Sequence, residues 1–72
     1  MEIVERKAFH EGFAIIGVKQ NKNTAELRYG YIDKEDRIAI KPEYNTVWNF
    51  SNGLALVRKG KLWGTIDISG KL

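Results

Sequence analysis

The sequence of 72 residues predicts an all-β, mainly antiparallel fold made of two β-hairpin-rich repeats, each a hairpin plus a short third strand, with at most short helical turns. Three observations predict it. The period of each copy is two, with Leu54, Leu56, Leu62, Gly64 and Ile66 able to share one face while Trp63, Thr65 and Asp67 point to the other, the mark of strands. Phe9-His10-Glu11-Gly12-Phe13-Ala14-Ile15-Ile16 matches Phe50-Ser51-Asn52-Gly53-Leu54-Ala55-Leu56-Val57, and Tyr29-Gly30-Tyr31-Ile32-Asp33 matches Trp63-Gly64-Thr65-Ile66-Asp67, so the chain repeats itself. Glycine and Asx residues punctuate the runs where tight turns are needed.

Read in order, residues 2–9 align with the stretch before the second copy, Ile3 with Tyr44 and Phe9 with Phe50. Phe13 to Val18 and Leu27 to Ile32 form the first hairpin. Its tip holds about seven extra polar residues, 19–25, an insertion that only a loop tip takes without disturbing register. Asp33-Lys34-Glu35-Asp36-Arg37 is a turn, with Asp36 where the second copy has Gly70 and therefore a strained position. Ile38-Ala39-Ile40-Lys41 is the third strand, expected to stop at Pro42, which lacks an amide. Tyr44, Val47, Trp48 and Phe50 are spaced as on a short turn of helix. Leu54 to Val57 and Leu62 to Ile66 form the second hairpin around Gly60; Leu54 and Leu56 are expected on the same face as Leu62, Gly64 and Ile66. Asp67-Ile68-Ser69-Gly70-Lys71 repeats the turn, and the third strand of the second copy is missing. The whole is one domain, 1–72, with copies at about 9–49 and 50–72, the latter incomplete. Ile3 and Val4, or a second chain, are expected to cover the second hairpin's open side.

Composition narrows the functions. Cysteine is absent and histidine single, which excludes disulfides, thiol chemistry and a two-histidine metal site. The longest apolar stretch, Phe13 to Val18, is too short for a membrane helix, and the N-terminus lacks the pattern of a secretory signal, so a cytoplasmic protein is expected. Scaling gives roughly 4,600 Å² of folded surface, with about 60% of the unfolded surface buried, which makes for marginal stability. The net charge of +3 comes mostly from Arg58, Lys59, Lys61 and Lys71.

Phe-x-x-Gly-x-Ala, a hairpin, aromatic-Gly-aromatic-Ile-Asp, a turn, an Ile/Val strand and Lys-Pro-x-Tyr together resemble the WG repeat, a bacterial module of roughly 35 residues. The second copy carries the resemblance on Phe50, Gly53, Ala55, Gly60, Lys61, Trp63, Gly64, Ile66, Asp67 and Gly70. The first carries it on Phe9, Gly12, Ala14, Tyr29, Gly30, Ile32, Asp33, Ile40, Pro42 and Tyr44, departing at Tyr29, Asp36 and the insertion. The resemblance implies a repetitive β-rich protein and supplies no catalytic residues.

The expected function is a non-catalytic repeat module for protein–protein interaction or self-association, with an unidentified protein or a second copy of the chain as partner and no cofactor or metal. Partner contact is expected at Lys22 and Asn23 in the inserted loop, at Tyr31 and Trp48 on an aromatic face, and at Arg58, Lys59 and Lys61 on the basic hairpin tip. Flat rings offer contact area with few rotors to freeze. Nucleic acid or another polyanion bound through residues 58–61 is the alternative, and a small saccharide or cell-wall hydrolase using Asp33 and Asp67 a remote third. Both aspartates open turns, where local amides are their ordinary partners. His10 reads as a turn residue.

Overall fold

The computed structural model describes residues 2–19, 23 and 26–71. Every element is a strand: β1 (Glu2–His10), β2 (Phe13–Lys19), β3 (Leu27–Asp33), β4 (Ile38–Tyr44), β5 (Thr46–Val47), β6 (Leu54–Lys59) and β7 (Leu62–Asp67). They form two antiparallel sheets, one in the order β1-β2-β3-β4 and one in the order β5-β6-β7.

Alternation along β2 and β3 decides how the sheets meet. Ile15 opposes Tyr31, while Ala14 opposes Ile32 and Ile16 opposes Gly30. Since cross-strand partners share a face, Phe13, Ile15, Tyr29 and Tyr31 look one way and Ala14, Ile16, Val18 and Ile32 the other. The first set meets the second sheet. Ile15, Tyr31, Ile40 and Tyr44 pack with Ala55, Val57 and Ile66 of β6 and β7, and with Phe50 from the segment between β5 and β6. The Phe50 ring lies 4.8 Å from that of Tyr31, edge to face, and 5.1 Å from that of Phe13. Ala14, Ile16, Val18 and Ile32 form a separate buried cluster on the other side of the first sheet.

Both copies turn by the same geometry. Positive φ occurs at Glu11 and Gly12 before β2 and at Asn52 and Gly53 before β6. After each hairpin the aspartate amide donates to the carbonyl four residues on, Asp33 to Arg37 and Asp67 to Lys71, both at 2.9 Å. Each aspartate Oδ1 accepts from the amides two and four residues on, at 2.8 and 3.0 Å for Asp33 and 2.9 and 3.1 Å for Asp67.

Four expectations are corrected. The residues from Pro42 to Phe50 contain no helical turn; Tyr44 and Val47 belong to two strands that break at Asn45. That kink is held by Asn45, whose amide donates to the Arg58 carbonyl at 2.8 Å and whose Oδ1 accepts from the Gly60 amide at 2.6 Å. Pro42 does not stop β4, because β4 is the edge of its sheet and its pairing with β3 is irregular around that point, so no ladder amide is demanded there. Residues 2–10 do not cover the second hairpin; they form a bulged strand beside β2, with Ile3 opposite Val18 and Phe9 opposite Ala14. Leu54 and Leu56 do not face the core. Ala55 opposes Ile66 and Leu56 opposes Thr65, so the leucines share the outer face with Trp63 and Thr65. Strand alternation alone leaves the register between two strands open; the short Gly60-Lys61 turn, which sets Lys59 opposite Leu62, decides it.

Candidate interaction surface

Exposed apolar side chains are spread over the chain, Ile3, Val4 and Phe9 of β1 among them, but two indoles and two leucines gather on the outer face of the second sheet. Trp48 (47% exposed), Leu54 (51%), Leu56 (39%) and Trp63 (55%) lie there together. Pairing places them: Leu56 opposes Thr65, Arg58 opposes both Trp63 and Thr46, and the Trp48 amide donates to the Leu56 carbonyl at 3.0 Å. The indole rings of Trp48 and Trp63 are 5.4 Å apart and inclined at 50°. The Arg58 guanidinium sits 5.9 Å from the Trp63 centroid and donates to Thr46 Oγ1 at 3.1 Å and to the Gly60 carbonyl at 2.6 Å. The cation is thereby held over the indole at the outer limit of the distance at which the ring's negative face attracts it.

The other expected contact residues are distributed differently. Lys22 lies outside the described residues, and Asn23 is an exposed turn residue away from any strand. Tyr31 is not on a partner-facing surface: it is fully buried, its ring against Phe50 and its hydroxyl donating to the Trp48 carbonyl at 2.5 Å. Burial pushes the Tyr31 hydroxyl well above its ordinary range, so it stays a neutral donor. The reason for the correction is that the repeat equivalent of exposed Trp63 is Tyr29, and Tyr31 lies inward because a second sheet covers it. Lys59 and Lys61 are exposed on the hairpin tip, with Lys59 Nζ 3.5 Å from Glu43 Oε1. Leu54 and Leu56 went unrecognised from sequence; the signal for them was the cross-strand register, which the turn length supplies.

The carboxylates of the turns are occupied. Asp33 is held below its ordinary value first by the Arg37 backbone amide, and Asp67 first by the Ser69 hydroxyl, which donates to Oδ1 at 2.6 Å. Glu11 is lowered by the amides of Gly53 and Asn52, which it accepts at 3.0 and 2.7 Å. That contact ties the first copy's turn to the second copy's turn. Among the described residues no cluster of three His, Asp or Glu side chains is placed to hold a metal ion, and no helix is long and apolar enough to cross a membrane.

Residues 29–63 match the family model of the WG containing repeat. The chain carries a WG repeat. The matched unit runs from Tyr29-Gly30 to Trp63, from the aromatic-glycine pair of one hairpin to the aromatic of the next, so it takes in β4, β5 and β6 whole. Comparison with curated proteins and with solved structures returns no match. The outer-face aromatic Trp63 is the last residue of the WG unit, and Tyr29, which opens it, occupies the same place in the preceding hairpin.

Proposed function

We propose that this WG-repeat chain is a non-catalytic interaction module that binds another protein surface, or a second copy of itself, through the outer face of β5–β7. The observation that carries the reading is the exposed cluster of Trp48, Leu54, Leu56 and Trp63 on one sheet face, while Tyr31, Tyr44 and Phe50 are buried between the sheets. Adjacent exposed indoles with an arginine beside them have the composition of interface anchors, while lone exposed apolar groups carry no such meaning. The turn-bound Asp33 and Asp67 support the non-catalytic half of the reading, since each spends its lone pairs on local amides.

Sedimentation equilibrium at two protein concentrations, on the wild-type chain and on Leu56→Glu, tests it. The expected result is a concentration-dependent dimer that Leu56→Glu returns to monomer without loss of strand content, because position 56 faces water in the monomer. A dimer that persists in Leu56→Glu defeats the outer-face reading. Retention on heparin at physiological salt, lost in Arg58→Glu/Lys59→Glu and indifferent to Leu56→Glu, would replace it with the polyanion reading through the hairpin tip.

A further inference from the structure

The two sheets are unequal, four strands against three, and β5 is a free edge of the smaller one. Beside that edge the inner face of the first sheet is left open as a cleft of about 380 Å³, a size within the range of small-ligand sites. Two rings, Tyr29 and Trp48, stand there among the polar side chains of Lys7, Asn45, Thr46 and Asn49.

Three features of the backbone build this lining. Tyr29 is paired with Gly17, and a Cβ on Gly17 would lie 2.9 Å from Tyr29 Cε1. Glycine inside a strand marks a close approach; here it lets the tyrosine ring reach across β2 and form the floor. The register of β1 shifts between Arg6 and Phe9, and such a bulge re-aims the side chain it carries, which brings Lys7 to the cleft. The backbone of Trp48 is fixed twice, its amide on the Leu56 carbonyl and its carbonyl on the Tyr31 hydroxyl, so the half-exposed indole forms a wall.

The polar groups around the rings have donors to spare. Asn45 Oδ1 already accepts from the Gly60 amide at 2.6 Å and Thr46 Oγ1 from Arg58 at 3.1 Å, which leaves the Asn45 side-chain amide and the Thr46 hydroxyl proton to give. Lys7 adds an ammonium. Among the described residues no carboxylate lines the cleft; Glu5 ends the cross-strand row of Gly17 and Tyr29 but lies outside the lining. A ligand suited to this site is rich in acceptors and anionic, with a flat apolar face for the rings. A sugar ring bearing a carboxylate has all three, its C–H face being apolar and its rim set with hydroxyls. A plain aromatic acid has the face and the charge but would leave the amides and the hydroxyl desolvated without partners, which costs binding.

We propose that the cleft beside β5 binds an acidic sugar of the hexuronic kind, with its C–H face on Tyr29 and Trp48, its carboxylate at Lys7 and its hydroxyl oxygens on Asn45, Thr46 and Asn49. The site goes beyond the outer face of β5–β7: Trp48 borders both, but Leu54, Leu56 and Trp63 do not line the cleft.

The test titrates the full chain with glucuronate, glucose and benzoate and follows, by nuclear magnetic resonance, the side-chain amides of Asn45 and Asn49 and the indoles of Trp48 and Trp63. The expected result is a saturable shift at Asn45, Asn49 and Trp48 with glucuronate, and binding of glucose about fivefold weaker, the upper range for an exposed ion pair. Lys7 and Asn49 are exposed, so their variants keep the fold: Lys7→Gln is expected to bind both sugars equally, and Asn49→Ala to weaken both. Absence of a saturable shift with glucuronate overturns the proposal, as does equal binding of glucose and glucuronate by the wild type, or benzoate binding as well as glucuronate. Shifts at Trp63 with none at Asn45 and Asn49 also overturn it, by placing the sugar on the outer face. The self-association read by sedimentation is untouched by any of these outcomes, so the two readings fail separately.

Discussion

The hairpins β2–β3 and β6–β7 are two copies of one unit with opposite environments on one face. In the first, Phe13, Ile15, Tyr29 and Tyr31 face a second sheet; in the second, Leu54, Leu56, Trp63 and Thr65 occupy the same places and face water. The lesson extends to the residues just before them. Phe50 is 3% exposed and Phe9 43%, although the two are equivalent in sequence, because Phe50 inserts between sheets and Phe9 sits on the outermost strand. Burying such a ring stabilises by roughly 1.5–3 kcal/mol over leaving it in water. Identical patterning thus yields a core on one side of the molecule and an exposed apolar face on the other, the difference being whether a second sheet covers it.

The largest expected effect tests that asymmetry directly. Tyr31→Ala removes a fully buried ring that packs on Phe50 and donates to the Trp48 carbonyl. A loss of about 3–5 kcal/mol is expected from the cavity and the stranded carbonyl together. Thr65→Ala, at the equivalent place, is expected to stay within about 0.5 kcal/mol. Urea unfolding followed by tryptophan emission measures both; comparable losses at the two sites would show that the second hairpin's outer face is also packed.

A smaller effect separates the two aspartate turns. Asp36 has φ of 63° and its counterpart Gly70 has φ of 86°. A non-glycine side chain in the left-handed region costs about 1–2 kcal/mol, part of which glycine's own flexibility would return. The exposed contact of Asp36 with Arg6, 3.2 Å long, offsets little because such pairs contribute about 0–1 kcal/mol. Asp36→Gly is therefore expected to stabilise by up to about 1 kcal/mol and Gly70→Asp to destabilise by a similar amount. A lower urea midpoint for Asp36→Gly would mean that the Arg6 contact outweighs the backbone strain.

How much of this was legible in the sequence follows from what kind of physics sets each feature. The internal repeat, both hairpins, the paired Asx turns and the strain at Asp36 are local, decided by residues within a few positions, and they read directly. What faced inward did not. The period of two placed Leu54 and Leu56 on one side, but only the register across Gly60-Lys61 said which side, and only the neighbouring sheet made that side core or surface. Tyr44 and Val47 look helical in spacing because Asn45 breaks one extended run into two. Tyr31 reads as an exposed aromatic until the second sheet is laid over it. For the candidate surface, Trp48 is legible only as one of several aromatics, spaced as if on a helical turn laid on the sheet, whereas its apolar companions and its closeness to Trp63 depend on contacts between distant parts of the chain.

The smallest expected effect concerns the link between the copies. The Glu11 carboxylate accepts from the amides of Asn52 and Gly53, and these bonds lower its pKa from the ordinary 4.5. A carboxyl lowered on folding stabilises fully above its unfolded value and loses that contribution as pH falls through the folded one. Asp33 and Asp67 are lowered in the same way. The thermal midpoint should therefore be level from neutral pH to about pH 5 and fall below about pH 4. Asn52, the equivalent of Glu11 in the second copy, carries no charge, so the acid sensitivity of the link comes from the first copy alone. Glu11→Gln retains an acceptor oxygen without the titration, and its midpoint should fall less between pH 7 and pH 3 than that of the wild type. An equal fall in the two proteins would place the acid response in Asp33 and Asp67 and leave the copies joined by their shared core rather than by their turns.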